Sequence, residues 1–175
     1  MRQTFLRRYP VRLPWQTYIW FSVILVLFGL VDHFFLHVTA FLVPPYGATL
    51  TLIVALPQQS VSQPAPIIGG GFLSASIGTL LALEGHGPLM AALAGIVAFA
   101  ALPPLGLFFP PGVALAIFPV LVKTTPWFPL LSVLPFTVVA CGSAALLSGR
   151  VKGWPLYPRN TQPSPRGNFM PLSKE

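Results

Sequence analysis

The sequence predicts an all-α membrane protein with four transmembrane helices and two proline-initiated half-helices, arranged as two similar units. The first observation is composition: 54% of the 175 residues are hydrophobic, 7% are charged, and the mean hydropathy is +0.76. Soluble domains carry about 25% charged residues. The second is that only Asp32, Glu84 and Lys123 carry charge between positions 13 and 149. A water-soluble globule is therefore excluded, and the third observation, a repeated double proline, indicates the two units.

Four segments are candidates for membrane-spanning helices. A helix needs about 20 apolar residues to cross a bilayer, because it rises about 1.5 Å per residue. The candidates are residues 17–38, 67–83, 89–109 and 129–148. The second is short, and Pro103-Pro104 interrupt the third. We expect four spans from this pattern.

Two shorter apolar segments, residues 46–56 and 112–122, reach only about 16 Å as helices and cannot cross alone. Each follows a double proline, which suits a helix start because proline has no amide hydrogen to leave unpaired there. The sequence VPPYGATL at 43–50 aligns with FPPGVALA at 109–116. Each copy lies between two long apolar segments, and interrupted helices at matching positions of two halves are typical of a transporter site.

The remaining charge lies at the two ends and divides the chain into three parts. Residues 1–16 form a basic cytosolic segment, 17–149 the transmembrane domain, and 150–175 a flexible, basic, proline-rich tail. Positive charge favours the cytosolic side, so we expect a multi-pass protein of the plasma or inner membrane with both termini in the cytosol. The number of crossings is then even, four or, if both half-helices cross, six.

The expected partners are the lipid bilayer and a small inorganic ion. The sequence does not decide whether the chain also forms a homo-oligomer. Nucleic acid is not expected, because the basic residues are split by a long apolar block and do not form one face.

The run PPYGATLTLIVALPQQSVSQPAPIIGGGFLSASIGTLLA, followed later by FPPGVALAIFPVL, resembles the HPP family of small integral membrane proteins. The resemblance covers roughly residues 17–150. Its specific parts are Tyr46-Gly47-Ala48, Gln63-Pro64, Gly69-Gly70 with Ser74-Ala75, and Pro110-Pro111-Gly112 with Ala114. It implies four spans and a transport function, linked in some members to nitrite.

The chain departs from the family pattern at polar positions. The histidine that names the family motif is Phe109 here, and a histidine usual after the paired glycines is Gly71. The arginine and asparagine usual after the Gln-Pro pair are Ala65 and Pro66. If those groups handle an ion or a proton, this chain has lost that step, has moved it, or never used it.

The expected substrate site lies at the starts of the two half-helices, whose positive ends and free backbone amides can bind an anion without a charged side chain. The candidate residues are Pro45, Tyr46, Gly47, Ala48, Phe109, Pro110, Pro111 and Gly112. The sequence thus predicts a transporter or channel for a small solute, first an inorganic anion such as nitrite. The alternative is a non-transporting membrane protein that acts as an assembly or structural partner, which the missing histidine favours.

Asp32, His33 and His37 form the densest polar cluster. Ionisable groups at membrane depth indicate a proton relay or ion site, whereas in the headgroup zone, at the far end of the first span, they need no function. Lys123 ends the second half-helix, where it either caps the helix dipole or steers an anion. No metal site is predicted, because two histidines and one aspartate lack a further ligand.

Small residues recur every four positions at Gly70, Ser74 and Gly78, which favours close packing of helices in lipid. The single cysteine, Cys141, excludes an intramolecular disulfide. No carboxylate pair and no nucleophile with a partnered base is evident. We therefore expect neither an enzyme nor a cofactor.

Overall fold

The computed structural model describes residues 13–34 and 42–159, and within these residues the regular structure is entirely helical. Its six α-helices are α1 (Trp15–Phe34), α2 (Pro45–Ala55), α3 (Gly71–Glu84), α4 (Pro88–Ala101), α5 (Pro110–Val122) and α6 (Leu134–Leu147). A π-helical turn leads directly into α3 (Pro66–Gly70) and another into α6 (Pro129–Val133). The predicted all-helical fold is confirmed over the described residues.

Proline begins most of these helical segments. It stands first in five of them: Pro45, Pro66, Pro88, Pro110 and Pro129. The first turn of a helix has amides without intrahelical partners, so a residue that has no amide hydrogen costs nothing there.

Three helical segments are long and apolar enough to cross a membrane: Trp15–Phe34, Pro66–Glu84 and Pro129–Leu147. The predicted span over 89–109 is different in the structure. Helix α4 ends at Ala101 after 14 residues, about 21 Å, and turns follow at 102–106. The cause is Pro103-Pro104, because two successive residues without an amide hydrogen cannot donate to the carbonyls one turn earlier and so cannot continue the helix. The described chain thus has three long and three short apolar helices.

Helices α1 and α6 lie antiparallel. The indole Nε1 of Trp20 donates a hydrogen bond of 2.9 Å to Ser143 Oγ. Farther along α1, the ring of Phe28 meets that of Phe136 edge-on, with centroids 5.1 Å apart. Moving forward along α1 therefore means moving backward along α6.

Helix α2 runs antiparallel to α1. Its first turn places Tyr46 beside Phe28, with ring centroids 6.3 Å apart. Its last turns share a groove with the start of α1, lined in part by Thr17, Phe21 and Val54. Helix α2 therefore begins beside Phe28 of α1, not beside the end of α1.

Helices α3 and α5 lie side by side and parallel. A Cβ atom on Gly70 would lie 3.1 Å from Phe109 Cβ, and one on Gly78 would collide with the carbonyl of Ala116. The later residue on the α3 side contacts the later residue on the α5 side, so the two helices run in the same direction. Close approach of this kind requires glycine on α3.

Helix α4 is antiparallel to α5, because Gly95 faces Ile117 whereas the ring of Phe99, a turn later, meets that of Phe108 with centroids 6.0 Å apart. Helix α3 is antiparallel to α6, since the π-helical turn that precedes each one contacts the other helix.

The six helices consequently alternate in direction along the chain. The described chain begins and ends at the same end of the bundle, where the side-chain amide of Gln16 donates 3.2 Å to the carbonyl of Lys152. We call this the terminal end, and the opposite one the far end.

The helices form two spatial groups. Buried side chains of α1, α2 and α6 dominate one core, which includes Trp20, Phe28, Leu50 and Phe136. A smaller core joins α4 and α5, with partly buried residues of α3 packed against it. Large apolar side chains such as Val23, Leu89 and Ile96 remain exposed on the outside, a surface suited to lipid.

Residues 150–159, which the sequence assigns to a flexible tail, pack against the helices. Trp154 meets Trp20 edge-on at 5.6 Å, and the hydroxyl of Tyr157 donates 3.2 Å to Cys141 Sγ. The amide of Arg159 donates 3.0 Å to Gln63 Oε1. Aromatic residues with a polar atom bury well when that atom finds a partner; burial also raises the pKa of Tyr157. Residues 150–159 are therefore part of the packed helical structure.

Candidate functional site

The two short helices α2 and α5 begin at nearly the same depth. Tyr46, in the first turn of α2, stacks on Phe136 with centroids 3.6 Å apart. At the start of α5, a Cβ on Gly112 would lie 2.7 Å from Ser74 Oγ. Ser74 is less than one turn beyond Gly71, whose own Cβ position is 3.5 Å from Thr137 Cγ2. Because Phe136 and Thr137 are neighbours, both starts lie within about one helical turn of the same level.

That level is inside the bundle rather than at an end. Phe28, which neighbours both Tyr46 and Phe136, lies about 20 Å from the start of α1 at Trp15. From there α2 runs to the terminal end and α5 to the far end. They contact each other, and two helices that diverge from one level can touch only near their starts. The amino termini of α2 and α5 therefore face each other in the interior.

We call this region the junction. It comprises the buried residues at the two helix starts and the side chains beside them: Pro45, Tyr46, Phe109, Pro111, Gly112, Ser74, Ser132 and Phe136.

On the α5 side of the junction, Ser74 is fully buried. Its hydroxyl has no hydrogen-bond partner among the described residues. The hydroxyl occupies space that exists because residue 112 is glycine, and the ring of Phe109 closes that space at 3.2 Å from the Cβ position. A buried hydroxyl without a partner is unusual, because it forfeits the hydrogen bonds it made in water.

On the α2 side, the hydroxyls of Tyr46 and Ser132 are 2.7 Å apart, and either can donate. Thr49 and Thr137 lie nearby in sequence but donate to carbonyls of their own helices, those of Pro45 and Val133. The hydroxyl protons of both threonines are therefore already used in hydrogen bonds to the backbone.

The backbone amides at both starts are also committed. Pro44, Pro45, Pro110 and Pro111 have no amide hydrogen. The amide of Tyr46 donates to Val43 (3.0 Å) and that of Gly47 to Pro44 (3.2 Å), while that of Gly112 donates to Phe109 (2.8 Å). The free amides expected from the sequence are thus occupied, and any ligand at the junction must be held by side chains and by the helix dipoles.

The candidate substrate residues do not all reach the junction. Pro45, Tyr46, Phe109, Pro111 and Gly112 are buried there. Ala48 and Pro110 are exposed on the outside of the bundle, and Gly47 is half-buried with no atom within 4 Å of its Cβ position. A helix has 3.6 residues per turn, so successive residues point to different sides, and only some of the candidates face the interior.

The charged candidates lie toward the far end. Asp32 is half-buried on α1, one turn beyond Phe28 and therefore on the same helix face, whereas His33 is exposed. Lys123 is exposed and caps α5 in left-handed conformation, φ 56°, about 16 Å along the helix from Gly112. His37 lies outside the described residues. Among the described residues no group of three His, Cys, Asp or Glu side chains is placed to hold a metal.

Gly70, Ser74 and Gly78, which we call the small-residue stripe, lie along the contact between α3 and α5. Cβ atoms on Gly70 and Gly78 would collide with the carbonyls of Leu107 and Ala116. Ser74 differs from its two neighbours in the stripe because it points a polar atom at the start of α5. The four-residue spacing indicates a packing surface but does not separate these two roles.

Comparison with known proteins adds a family. The model of the family described as HPP, transmembrane region, matches residues 7–158. No curated protein matches the chain, and no solved structure does.

Proposed function

Because the chain belongs to the HPP transmembrane family, it is a membrane protein, and we propose that it moves a small solute through the junction of α2 and α5. The resemblance read from the sequence is confirmed by this match. The proposed solute is a monovalent inorganic anion, nitrite being the first example to test.

The observation that carries the proposal is the meeting of two helix amino termini inside the bundle. Each terminus carries the equivalent of about +0.5 elementary charge, and like charges repel strongly where water is scarce. The residues that define the junction carry no charged side chain, although Asp32 on α1 interacts electrostatically with Tyr46. Together the two dipoles match about one negative charge, so a monovalent anion relieves their repulsion.

The directions of the helices support a related proposal, that the two halves are an inverted repeat. Helices α1 to α3 form one unit and α4 to α6 the other. Corresponding members run in opposite directions, and each unit has a Pro-Pro start in its middle helix. Inverted repeats with interrupted helices place substrate near the middle of the membrane.

Lys123, Asp32 and His33 act on the approach from the far end in this proposal, not at the junction. An exposed lysine raises the local concentration of anions without holding one. Asp32 and His33 are then the groups available for a proton relay beside that approach.

The proposed topology has six crossings, with α2 and α5 each forming part of one, in the plasma or inner membrane. Both termini then lie on one side, and the basic flanks place that side in the cytosol.

A topology reporter tests this arrangement. An enzyme that is active only outside the cytosol, fused after Glu175, should be silent in cells, whereas the same enzyme inserted at the turn after Glu84 should be active. The turn is the matched control because it lies at the far end of α3. Activity from the C-terminal fusion contradicts the proposed orientation.

Uptake by purified protein in liposomes tests the transport function. We expect nitrite, nitrate or chloride to enter protein-containing liposomes faster than protein-free ones, and sulfate to be excluded, because the junction offers about one unit of positive charge. If none of the monovalent anions moves, transport is refuted and the assembly-partner alternative gains.

A further inference from the structure

We infer that Ser74 is an anion-binding residue, whose hydroxyl donates the hydrogen bond that holds a monovalent anion at the start of α5. This inference rests on the proposed function and adds the side chain that would contact the solute. The sequence assigns Ser74 only to helix packing.

The hydroxyl of Ser74 has no partner among the described residues, and neither has that of Thr79 farther along α3, whereas two other helical serines are bonded within their own helices. Ser76 on the same helix donates to the carbonyl of Phe72 (2.8 Å), and Ser143 on α6 donates to that of Val139 (2.6 Å). A bond of this kind, to the carbonyl four residues earlier, is the usual way for serine to satisfy its hydroxyl within a helix. Ser74 is fully buried and has no partner in the described residues, so its donor remains available.

The position of this donor is set by its neighbours on α5. The hydroxyl oxygen lies 2.7 Å from where a Cβ would stand on Gly112, and the ring of Phe109 borders the same space. Pro110 and Pro111 provide no amide hydrogen, and the amide of Gly112 is bonded to Phe109. The hydroxyl of Ser74 therefore replaces the amides that would otherwise serve an anion at this helix start.

The surroundings define the class of ligand. One hydroxyl donor with two helix dipoles suits a small anion of single charge that sheds its water readily, such as nitrite, nitrate or chloride. The lining by Phe109, Phe136 and Leu115 is apolar and buried, which penalises an ion that must keep its hydration shell. Sulfate and phosphate are excluded for this reason.

Anion-dependent thermal stability of the purified protein in detergent tests the inference without relying on transport. A ligand that binds only the folded state raises the midpoint of unfolding as its concentration rises. Sodium nitrite is the probe, with chloride and nitrate as further anions and gluconate as the counter-ion control. We expect Ser74→Ala to require roughly tenfold more nitrite than the unaltered protein for the same shift.

Two variants serve as controls. Ser76→Ala removes a hydroxyl from the same helix whose hydrogen bond is internal, and should titrate like the unaltered protein. Ser74→Thr keeps the hydroxyl and should retain most of the anion response. Since Ser74→Ala removes an atom with no protein partner, we expect it to fold.

The outcomes separate this inference from the transport proposal. An unaltered nitrite response in Ser74→Ala, or no response of the unaltered protein to any of the three anions, overturns the role of Ser74. If liposome uptake nevertheless occurs, transport stands and only the role of Ser74 fails. A nitrite response that Ser74→Ala loses, without uptake, supports the binding site and refutes transport.

Discussion

Replacing Gly78 with alanine should destabilise the protein by about 1–3 kcal/mol or more, the usual range for forcing an extra methyl group into a packed interior. The new Cβ would collide with the backbone carbonyl of Ala116. Backbone in the middle of α5 cannot move aside as a flexible side chain can, so α3 and α5 must separate. The change should appear as a lower unfolding temperature in mild detergent, by about 2–4 °C for each kcal/mol in a chain of this size.

Gly142 provides the matched control. It also lies within a long helix, α6, but it is exposed and no atom lies within 4 Å of its Cβ position. Gly142→Ala adds the same methyl group and should leave the unfolding temperature equal or slightly higher, because alanine favours helix more than glycine does. Equal losses at positions 78 and 142 would mean that the contact between α3 and α5 is not as close as described.

Replacing Gly112 with valine should reduce anion uptake at least tenfold. Its Cβ would occupy the space beside Ser74 Oγ and the ring of Phe109, so the hydroxyl would be pushed away from the start of α5. The two nearest atoms belong to side chains that can rotate, and the backbone oxygen of Gly70 stands at van der Waals distance, 3.4 Å, so we expect folded protein to be recovered. Uptake per amount of folded protein in liposomes is the measurement.

Gly47→Val is the comparison for that experiment. Each glycine is one of the two residues between a double proline and an alanine, although Gly47 aligns with Val113 and Gly112 with Tyr46. From the sequence we would expect equal losses. In the structure position 47 has open space, so valine there should cost much less uptake. Removing the charge of Lys123 should produce a mild loss that disappears at high salt, since a distant exposed charge is screened. If uptake survives at position 112 as well as at 47, the junction is not the route of the solute.

The local effect of proline on the backbone made several helix boundaries predictable from the sequence. The starts of α2 and α5 follow directly from their double prolines, because the missing amide hydrogen acts within one residue. The same local effect ends α4 early: Pro103-Pro104 break the segment 89–109 into a helix and turns. The length of an apolar segment therefore overestimates the length of its helix when a proline pair lies near the end of the segment.

Long-range relations were not predictable in the same way. The common depth of Tyr46 and Gly112 depends on how α1, α3 and α6 slide along one another, and no short pattern encodes it. The burial of Trp154 requires Trp20, which is distant in the chain but 5.6 Å away in space. The availability of the Ser74 hydroxyl depends on Gly112, in a different helix, having no side chain.

The spatial grouping of the helices has a mechanical consequence. The group of α1, α2 and α6 takes its last member from the second half of the chain, and the group of α3, α4 and α5 takes its first from the first half. The two sequence halves are therefore interlocked, and a motion of either half as a separate body would have to break both groups. Helix α2 belongs to one group and α5 to the other, and Phe109 and Leu115 extend into the core that α1, α2 and α6 dominate. Sliding along the boundary between the groups would therefore change the distance between the two helix starts.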